Sequence, residues 1–540
     1  MKEVNFQPSP PLSPSPSGRG GWGVRAIIIL ILLSTLLFFF KLGSFSLYDA
    51  AETTYGEFIK QIRLTGDWIT MHYNGEIIFD KPPLYFWLAT LATYIFGFNE
   101  FAIRFWAALS GVLTVIVTFY LGKSFYNQRV GFLSGIISIT TFQFMIQSRI
   151  AELDIVLTLL LTSAFLSFWY GYQTKKRYFY WCFYAAMALA TLIKGLVGIA
   201  LPVTAIFLFL LIRKELGRIK EMQVLPGIII ILLIGAPWYI AEWYLHGQEF
   251  VEFALGFLFL SRFGKVVSGH PGPWYYYFFA LLLGFAPWSH FLPCSLWRTW
   301  RNRVGSFELL SLCYIIPVFI VFSIAKTKLP NYVLPLYPFL AITVGKLWND
   351  FLDSDQQRMR KGMAIANILL AVVVVLLIIG FAILGASNYS GPYQQEIPKL
   401  LLLAGILIAG SLISIFSFFL RKYKVSFYAI PIMVFIIAFV LTIQTLPTVE
   451  KYKGTKELGE KVSQVIKKEE IIAAYNVGNR PGVVFYNSKP IVFLESEKEV
   501  IAFLINKKGY CFTTLSEYEK LKNIANVFDR RGELIVLHGR

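Results

Sequence analysis

Apolar runs recur along this chain, each about 18–22 residues long and able to cross about 30 Å of hydrocarbon as a helix. Nothing else in the sequence limits its fold so strongly. A backbone inside lipid has no water to bond, so each run must satisfy its own N–H and C=O groups, and helices are the default. The runs lie near 24–42, 102–121, 130–148, 155–172, 178–193, 196–212, 225–243, 275–294, 306–325, 332–348, 363–386, 400–420 and 426–446. Of the 540 residues 56% are hydrophobic and only 15% charged, which excludes an ordinary soluble domain. No internal repeat stands out, an argument against inverted-repeat transporters.

The net charge of +18 would suggest nucleic acid in a soluble protein. Here Lys and Arg mark the cytoplasmic ends of spans instead. The topology turns on Leu84–Gly97, an apolar stretch of about 14 residues that is short for a span and suits an interfacial or re-entrant helix. If it does not cross, the clusters Lys123/Arg129, Lys175–Arg177, Arg213–Lys220, Arg298–Arg303, Arg358–Lys361 and Arg421–Lys424 all fall on one side. If it crosses, all of them flip outward. The first version gives thirteen spans, with the N-terminus inside and the C-terminus outside.

Residues 1–23, rich in Pro, Ser and Gly, are expected to be disordered. The membrane part then covers 24–448, with a polar loop at 46–83. From 449 to 540 the composition turns polar. Strands are expected at 471–475, 483–486, 491–494 and 533–537, with helices at 455–468 and 497–506, which makes a small α/β domain on the outer side.

The same topology sorts the remaining ionisable groups onto the outer face. The first loop supplies Asp49, Glu52, Asp80 and Lys81, and SRIAELD supplies Arg149, Glu152 and Asp154. Lys194 stands in LIKG, Arg262, Lys265 and His270 in SRFGKVVSGHPGPW, and Lys326, Lys328 and Tyr332 in AKTKLPNYVLP. Several cations at one membrane face suit a lipid phosphate, whose charge they would neutralise as it leaves. A carboxylate beside them suits a general base or the stabiliser of an oxocarbenium-like sugar. Asp80 with His270 is a candidate pair for a divalent metal ion, a thin ligand set.

Each group also has a plainer reading. Asp49, Glu52 and Asp154 suit charges at helix starts. Lys194, Lys328 and Arg262 suit snorkelling anchors, and His270 suits a loop before a Pro-Gly-Pro turn. A transporter would carry ionisable groups near mid-span. The spans show few, with Glu242 and Lys346 near ends, so an enzyme is the stronger expectation.

YDAAETTYGEFI, GDWITMHYNGEIIFDKPPLYFW, AELDIVLT, LIKGLVGIALP, GHPGPWYYY with LGFAPW, and KLPNYVLPLYPFLAI follow one another in this order. In this the chain resembles bacterial GT-C glycosyltransferases, above all the lipid A aminoarabinose transferases and the protein O-mannosyltransferases. The resemblance covers about residues 25–350. It implies an inner-membrane enzyme that takes a sugar from a polyprenyl-phosphate donor on the periplasmic side and gives it to lipid A, another glycan or a protein. By the same resemblance Lys81, Lys194, Arg262, Lys328 and Tyr332 hold the donor phosphate, and Asp154 is the second acidic residue of the site. His270 lies near the metal of some members, and Asp80 replaces a usual Glu. The family's Asp-Glu-x-x-Tyr reads Ala51, Glu52, Thr53, Thr54, Tyr55 here, with Thr54 where an Arg often stands. Asp49 or Glu52 would then take the role of the missing Asp.

Overall fold

The computed structural model describes residues 20–254, 270–353, 357–386, 396–506 and 509–539. The chain opens with α1 (Gly20–Phe39), α2 (Ala51–Thr65), a hairpin of β1 (His72–Tyr73) and β2 (Glu76–Ile77), and α3 (Leu84–Phe96). It continues through α4 (Glu100–Phe125), α5 (Gln128–Ile139), α6 (Phe142–Gln147), α7 (Leu153–Thr174), α8 (Arg177–Lys194), α9 (Val197–Ile212) and α10 (Val224–Glu252). Then come α11 (Tyr276–Gly284), α12 (Leu292–Arg301), α13 (Ser306–Ile324), α14 (Tyr337–Asp353), α15 (Gln357–Ala386), α16 (Ile397–Phe419), α17 (Tyr423–Val440) and α18 (Leu446–Lys453). Among the described residues eight helices are long and apolar enough to cross a membrane, or nine if one bent pair counts as a single span.

Two compact units result, each built from separated stretches of sequence. The first comprises residues up to Phe40, Phe79–Tyr85 and Ala107–Ala438, and among its described residues the regular elements are helices. Its helices approach closely where small residues face each other. A Cβ added at Gly122 of α4 would come within 3.2 Å of the Gly131 Cα on α5, and one at Gly131 would meet the Phe119 carbonyl. In lipid such contacts replace the hydrophobic drive that packs helices in water.

Several expected spans are shaped by side chains that compete with the helix. The run 130–148 is two helices rather than one. Thr140 and Thr141 turn their hydroxyls back onto the Ile136 and Ile137 carbonyls, 2.7 Å each, and the helix stops there. The run 275–294 bends by 119° between Tyr276–Gly284 and Ser289–Arg301. Pro287, which has no N–H to offer, lies in the bend. The run 332–348 opens as a 3-10 turn, Pro330–Leu336, with a proline near each end. At the N-terminus α1 already begins at Gly20, inside the segment expected to be disordered; residues 1–19 lie outside the described residues.

The second unit joins Lys41–Ile78, Phe86–Trp106 and Phe439–Arg540. Its tail contains α19 (Thr455–Val465), β3 (Ile471–Tyr475), α20 (Gly482–Phe485), β4 (Ile491–Leu494), α21 (Glu497–Ile505), β5 (Gly509–Thr514), α22 (Leu515–Leu521), β6 (Ala525–Arg531) and β7 (Leu534–Gly539). The sheet order is β4-β3-β5-β7-β6, with β3 parallel to β4 and β5 and the other pairs antiparallel. Both faces are covered. Ile472, Ala474, Phe512 and Val536 pack with Leu458 and Val462 of α19, whereas Ala473, Cys511, Ile535 and Leu537 pack with Val500 and Leu504 of α21. This two-sided burial explains apolar runs such as IIAAY and LIVL, which lack a polar alternation. Residues 483–486, expected as a strand, form a helical turn instead. Pro481 fixes the entry to that turn, and Val483, Val484 and Phe485 are all buried by it.

Replacing Gly131 with Ala should lower the stability of the membrane unit by about 1–3 kcal/mol, because the added methyl forces α4 and α5 apart. Thermal unfolding of the full chain in detergent would measure this, and an unchanged melting temperature would contradict the tight α4–α5 contact.

Candidate active site

Helices α7 and α8 are joined by two residues, so the N-terminus of α7 meets the C-terminus of α8. Asp154 lies in the first turn of α7, and Lys194 is the last residue of α8. A carboxylate at a helix N-terminus and an ammonium at a C-terminus each complement the helix dipole. The two side chains close on each other at 2.5 Å, Lys194 Nζ to Asp154 Oδ1. Gly195, at φ 65°, turns the chain away immediately afterwards. The other oxygen, Asp154 Oδ2, accepts from Asn331 Nδ2 at 2.5 Å. Asn331 comes from the 3-10 turn, as does Tyr332, whose ring lies 4.5 Å from Lys194 Nζ.

These groups border one cavity of about 780 Å3, its open mouth included. Lys81, Pro82, Asp154, Lys194, Thr327 and Tyr332 give it a polar end, while Leu157, Val197, Leu201, Phe322 and Pro335 give it apolar walls. Asp154, only 3% exposed, is the carboxylate in that lining. Lys81 enters beside the Pro82–Pro83 pair, and its Nζ lies 2.6 Å from Asp80 Oδ1. The arrangement offers two ammonium groups, a phenol and a braced carboxylate at the mouth of a greasy pocket.

The other expected residues have different placements. Lys328 donates to the Phe322 and Ser323 carbonyls at 2.7 and 2.6 Å, capping the end of α13. His270 is exposed, and its carbonyl accepts from Lys328 N at 2.9 Å. Arg262 and Lys265 lie outside the described residues. Arg149 bonds the Leu37 and Phe40 carbonyls, the second at 2.9 Å, and so closes the end of α1. No group of three or more His, Cys, Asp or Glu among the described residues is placed to hold a metal ion. Asp80 and His270 belong to no such group, and the Asp80 carboxylate meets Lys81.

In the second unit, Glu52 is 1% exposed and pairs with Arg104, itself 5% exposed. Arg104 Nε and Nη2 reach the two carboxylate oxygens at 2.8 and 2.7 Å. The remaining guanidinium donors go to the Leu42, Phe45 and Ser46 carbonyls at 2.9–3.0 Å. Arg104 was missed because it sits in the apolar run 102–121. A lone arginine in such a run requires a buried partner, and that requirement was the available signal. Asp49 accepts from Gly482 N at 3.0 Å, at the start of α20. Lys60 holds the far end of the same turn, donating to the Val484, Phe485 and Asn487 carbonyls at 3.4, 3.0 and 2.8 Å. Burial raises the Asp49 pKa above the ordinary carboxylate value, against the pull of Gly482 N–H and Lys453.

Residues 80–241 match the family model of dolichyl-phosphate-mannose-protein mannosyltransferases. An Edwardsiella ictaluri protein, undecaprenyl phosphate-alpha-4-amino-4-deoxy-L-arabinose arabinosyl transferase, is 32% identical over 60% of this chain; the match spans 58% of that relative's length. An Aquifex aeolicus protein without an assigned activity is 29% identical over 90% of this chain and 91% of its own. Among solved structures, ArnT from Cupriavidus metallidurans bound to undecaprenyl phosphate superposes with a TM-score of 0.79 at 20% identity, covering 96% of this chain and 98% of that one. The fold is that of the Cupriavidus metallidurans ArnT structure. In sequence the chain resembles the aminoarabinose transferases.

Removing the Glu52 carboxylate as Glu52→Ala should destabilise the protein by about 3–5 kcal/mol, since the Arg104 charge is left buried and unpaired. A drop in detergent melting temperature, smaller for Glu52→Gln, is the expected readout. Asp49 acts in the opposite sense. Its folded-state pKa is raised, so its stabilising effect is complete below about pH 4 and is lost as the pH rises through that raised value. Asp49→Asn keeps an acceptor for Gly482, and should flatten that decline and raise the melting temperature at neutral pH.

Proposed function

We propose that this chain transfers a sugar, aminoarabinose or a close relative, from a polyprenyl-phosphate donor to lipid A or another envelope acceptor. The observation that carries the reading is the cavity in which Lys81 and Lys194 flank Asp154, with apolar walls leading away from them. The family match and the aminoarabinose transferase relatives support the same donor class. In the reaction the bond between the sugar's anomeric carbon and the donor phosphate oxygen breaks, and its electrons stay on the phosphate. Lys81 and Lys194 stabilise that leaving charge in a site of low dielectric. Lys194 has donors left for this after meeting Asp154, and Tyr332 helps to position the phosphate. Arg262, on its sequence motif, and Lys328, in the segment that leads into Tyr332, are further candidate partners of the phosphate. Asp154 faces the positive charge that develops on the sugar.

The bracing of Asp154 bears on the acceptor. Both Asp154 oxygens are already engaged, one by an ammonium and one by an amide, so neither is turned to take a proton from a hydroxyl. That favours an acceptor arriving as an oxyanion, such as a lipid A phosphate, whose oxygen forms the new bond without losing a proton. A hydroxyl acceptor, on a protein or another glycan, would need a base from elsewhere. Asp49 and Glu52 serve the second unit, Glu52 in its pair with Arg104 and Asp49 on the Gly482 amide. No step is routed through a metal.

The topology belongs to the same proposal. Thirteen crossings are read for 24–448 in a bacterial inner membrane, with the site and the domain 449–540 on the periplasmic side. The distribution of Lys and Arg supports it.

Lys81→Ala and Asp154→Ala should each reduce transfer by about 100-fold or more while the protein remains folded. Mass spectrometry of lipid A from cells with and without the gene tests the acceptor. Loss of an aminoarabinose-sized substituent on deletion is expected. Unchanged lipid A in cells that express the protein would overturn lipid A as the acceptor.

A further inference from the structure

We infer that Asn331 is a positioning residue for Asp154, setting which carboxylate oxygen faces Lys194 and which faces away. The inference rests on the proposal that Asp154 and Lys194 act at the reacting centre. Free rotation about its last torsion would let either Asp154 oxygen take the lysine. In the structure the two oxygens are divided between different partners. Oδ1 takes Lys194 from α8, and Oδ2 takes Asn331 from the turn before α14. An amide donor does this without adding charge, so Lys194 keeps its full attraction to Asp154.

The position of Asn331 makes it suited to the task. It stands between Pro330 and Tyr332, in a turn that has a second proline at Pro335. Pro330 and Pro335 have fixed φ angles, which limits backbone motion around the amide. Asn331 and Tyr332 are both buried, at 9% exposure each. One short turn therefore braces Asp154 through Asn331 and supports Lys194 through the Tyr332 ring. Such a turn ties the carboxylate and the ammonium to one piece of backbone. A charge-assisted hydrogen bond of this kind also resists the reorientation that the departing phosphate would otherwise drive.

The test measures transfer of aminoarabinose from its undecaprenyl-phosphate carrier to lipid A by the purified full chain, for Asn331→Ala, Asn331→Ser and Asp154→Ala. Asn331→Ala should lower kcat about 10- to 100-fold with little change in the donor KM, since the asparagine braces Asp154 rather than the substrate. Asn331→Ser retains a short donor and should recover part of that loss. Melting temperatures in detergent, taken alongside, show whether each variant is folded. If Asp154→Ala is inactive but Asn331→Ala keeps its kcat, the inference about Asn331 is wrong and the site reading stands. If Asn331→Ala chiefly raises KM, the residue binds donor directly and the positioning role is overturned. A fall in kcat that tracks a fall in melting temperature, without recovery in the serine variant, assigns Asn331 to folding and equally overturns it. Full activity of Asp154→Ala would instead remove the site reading on which the inference rests.

Discussion

A charge inside a membrane protein persists only with a partner, and the pairing of Asp154 with Lys194 is where that rule and the chemistry meet. Neither group alone is tolerable in an apolar wall. Together, at the opposed ends of α7 and α8, they are stabilised by two helix dipoles and by each other. The two-residue connection between these helices makes the meeting possible, because it fixes them as antiparallel neighbours. Much of the polar site then follows: the 3-10 turn that braces the carboxylate, the aromatic ring beneath the ammonium, and the apolar walls that keep the local dielectric low. The pair holds the Lys194 ammonium on the wall of a largely apolar cavity, where the proposed lipid phosphate would need a cation.

The second unit applies the same rule to a different end. Glu52 and Arg104 form a pair so fully enclosed that each donor of the guanidinium finds an oxygen. That pair fixes the chain between residues 42 and 52, Arg104 gripping the carbonyls of Leu42, Phe45 and Ser46 as well as the Glu52 carboxylate. Acidic residues that sequence alone offered as chemistry are thus structural as placed, whereas Asp154, of similar appearance in sequence, borders a cavity.

The helical architecture was legible because hydrophobic run length is a direct physical demand of the bilayer. The breaks within runs were less so. Thr140 and Thr141 look like ordinary residues of a span until their hydroxyls are seen to take the helix's own carbonyls. In the tail, Ile471–Tyr475 and Ile491–Leu494 were readable as strands. β5 and β6 were not, one opening on Gly509 and closing on two threonines, the other a polar edge strand with the sequence ANVFDRR. VVFY at 483–486 has the composition of a strand, yet burial beside α19 and the preceding proline make it helical. For the site, Asp154, Lys194, Lys81 and Tyr332 could be named from motifs, and the structure gathers all four around one cavity. Asn331 and Arg104 escaped notice because their importance lies in their partners, one 177 residues away and the other 52.

The grip on α20 has a temporal meaning. Asp49 and Lys60 hold the two ends of a single helical turn that lies 433 and 425 residues further along the chain. At a synthesis rate of about 5–20 residues per second, roughly 20–90 s pass between the appearance of the first loop and that of its clamp partner. During that interval the loop has its own helix but not the turn against which it is finished. Completion of the first polar loop is therefore coupled to the synthesis of residues 482–487, and a chain that stops before them leaves Asp49 and Lys60 without the turn they hold.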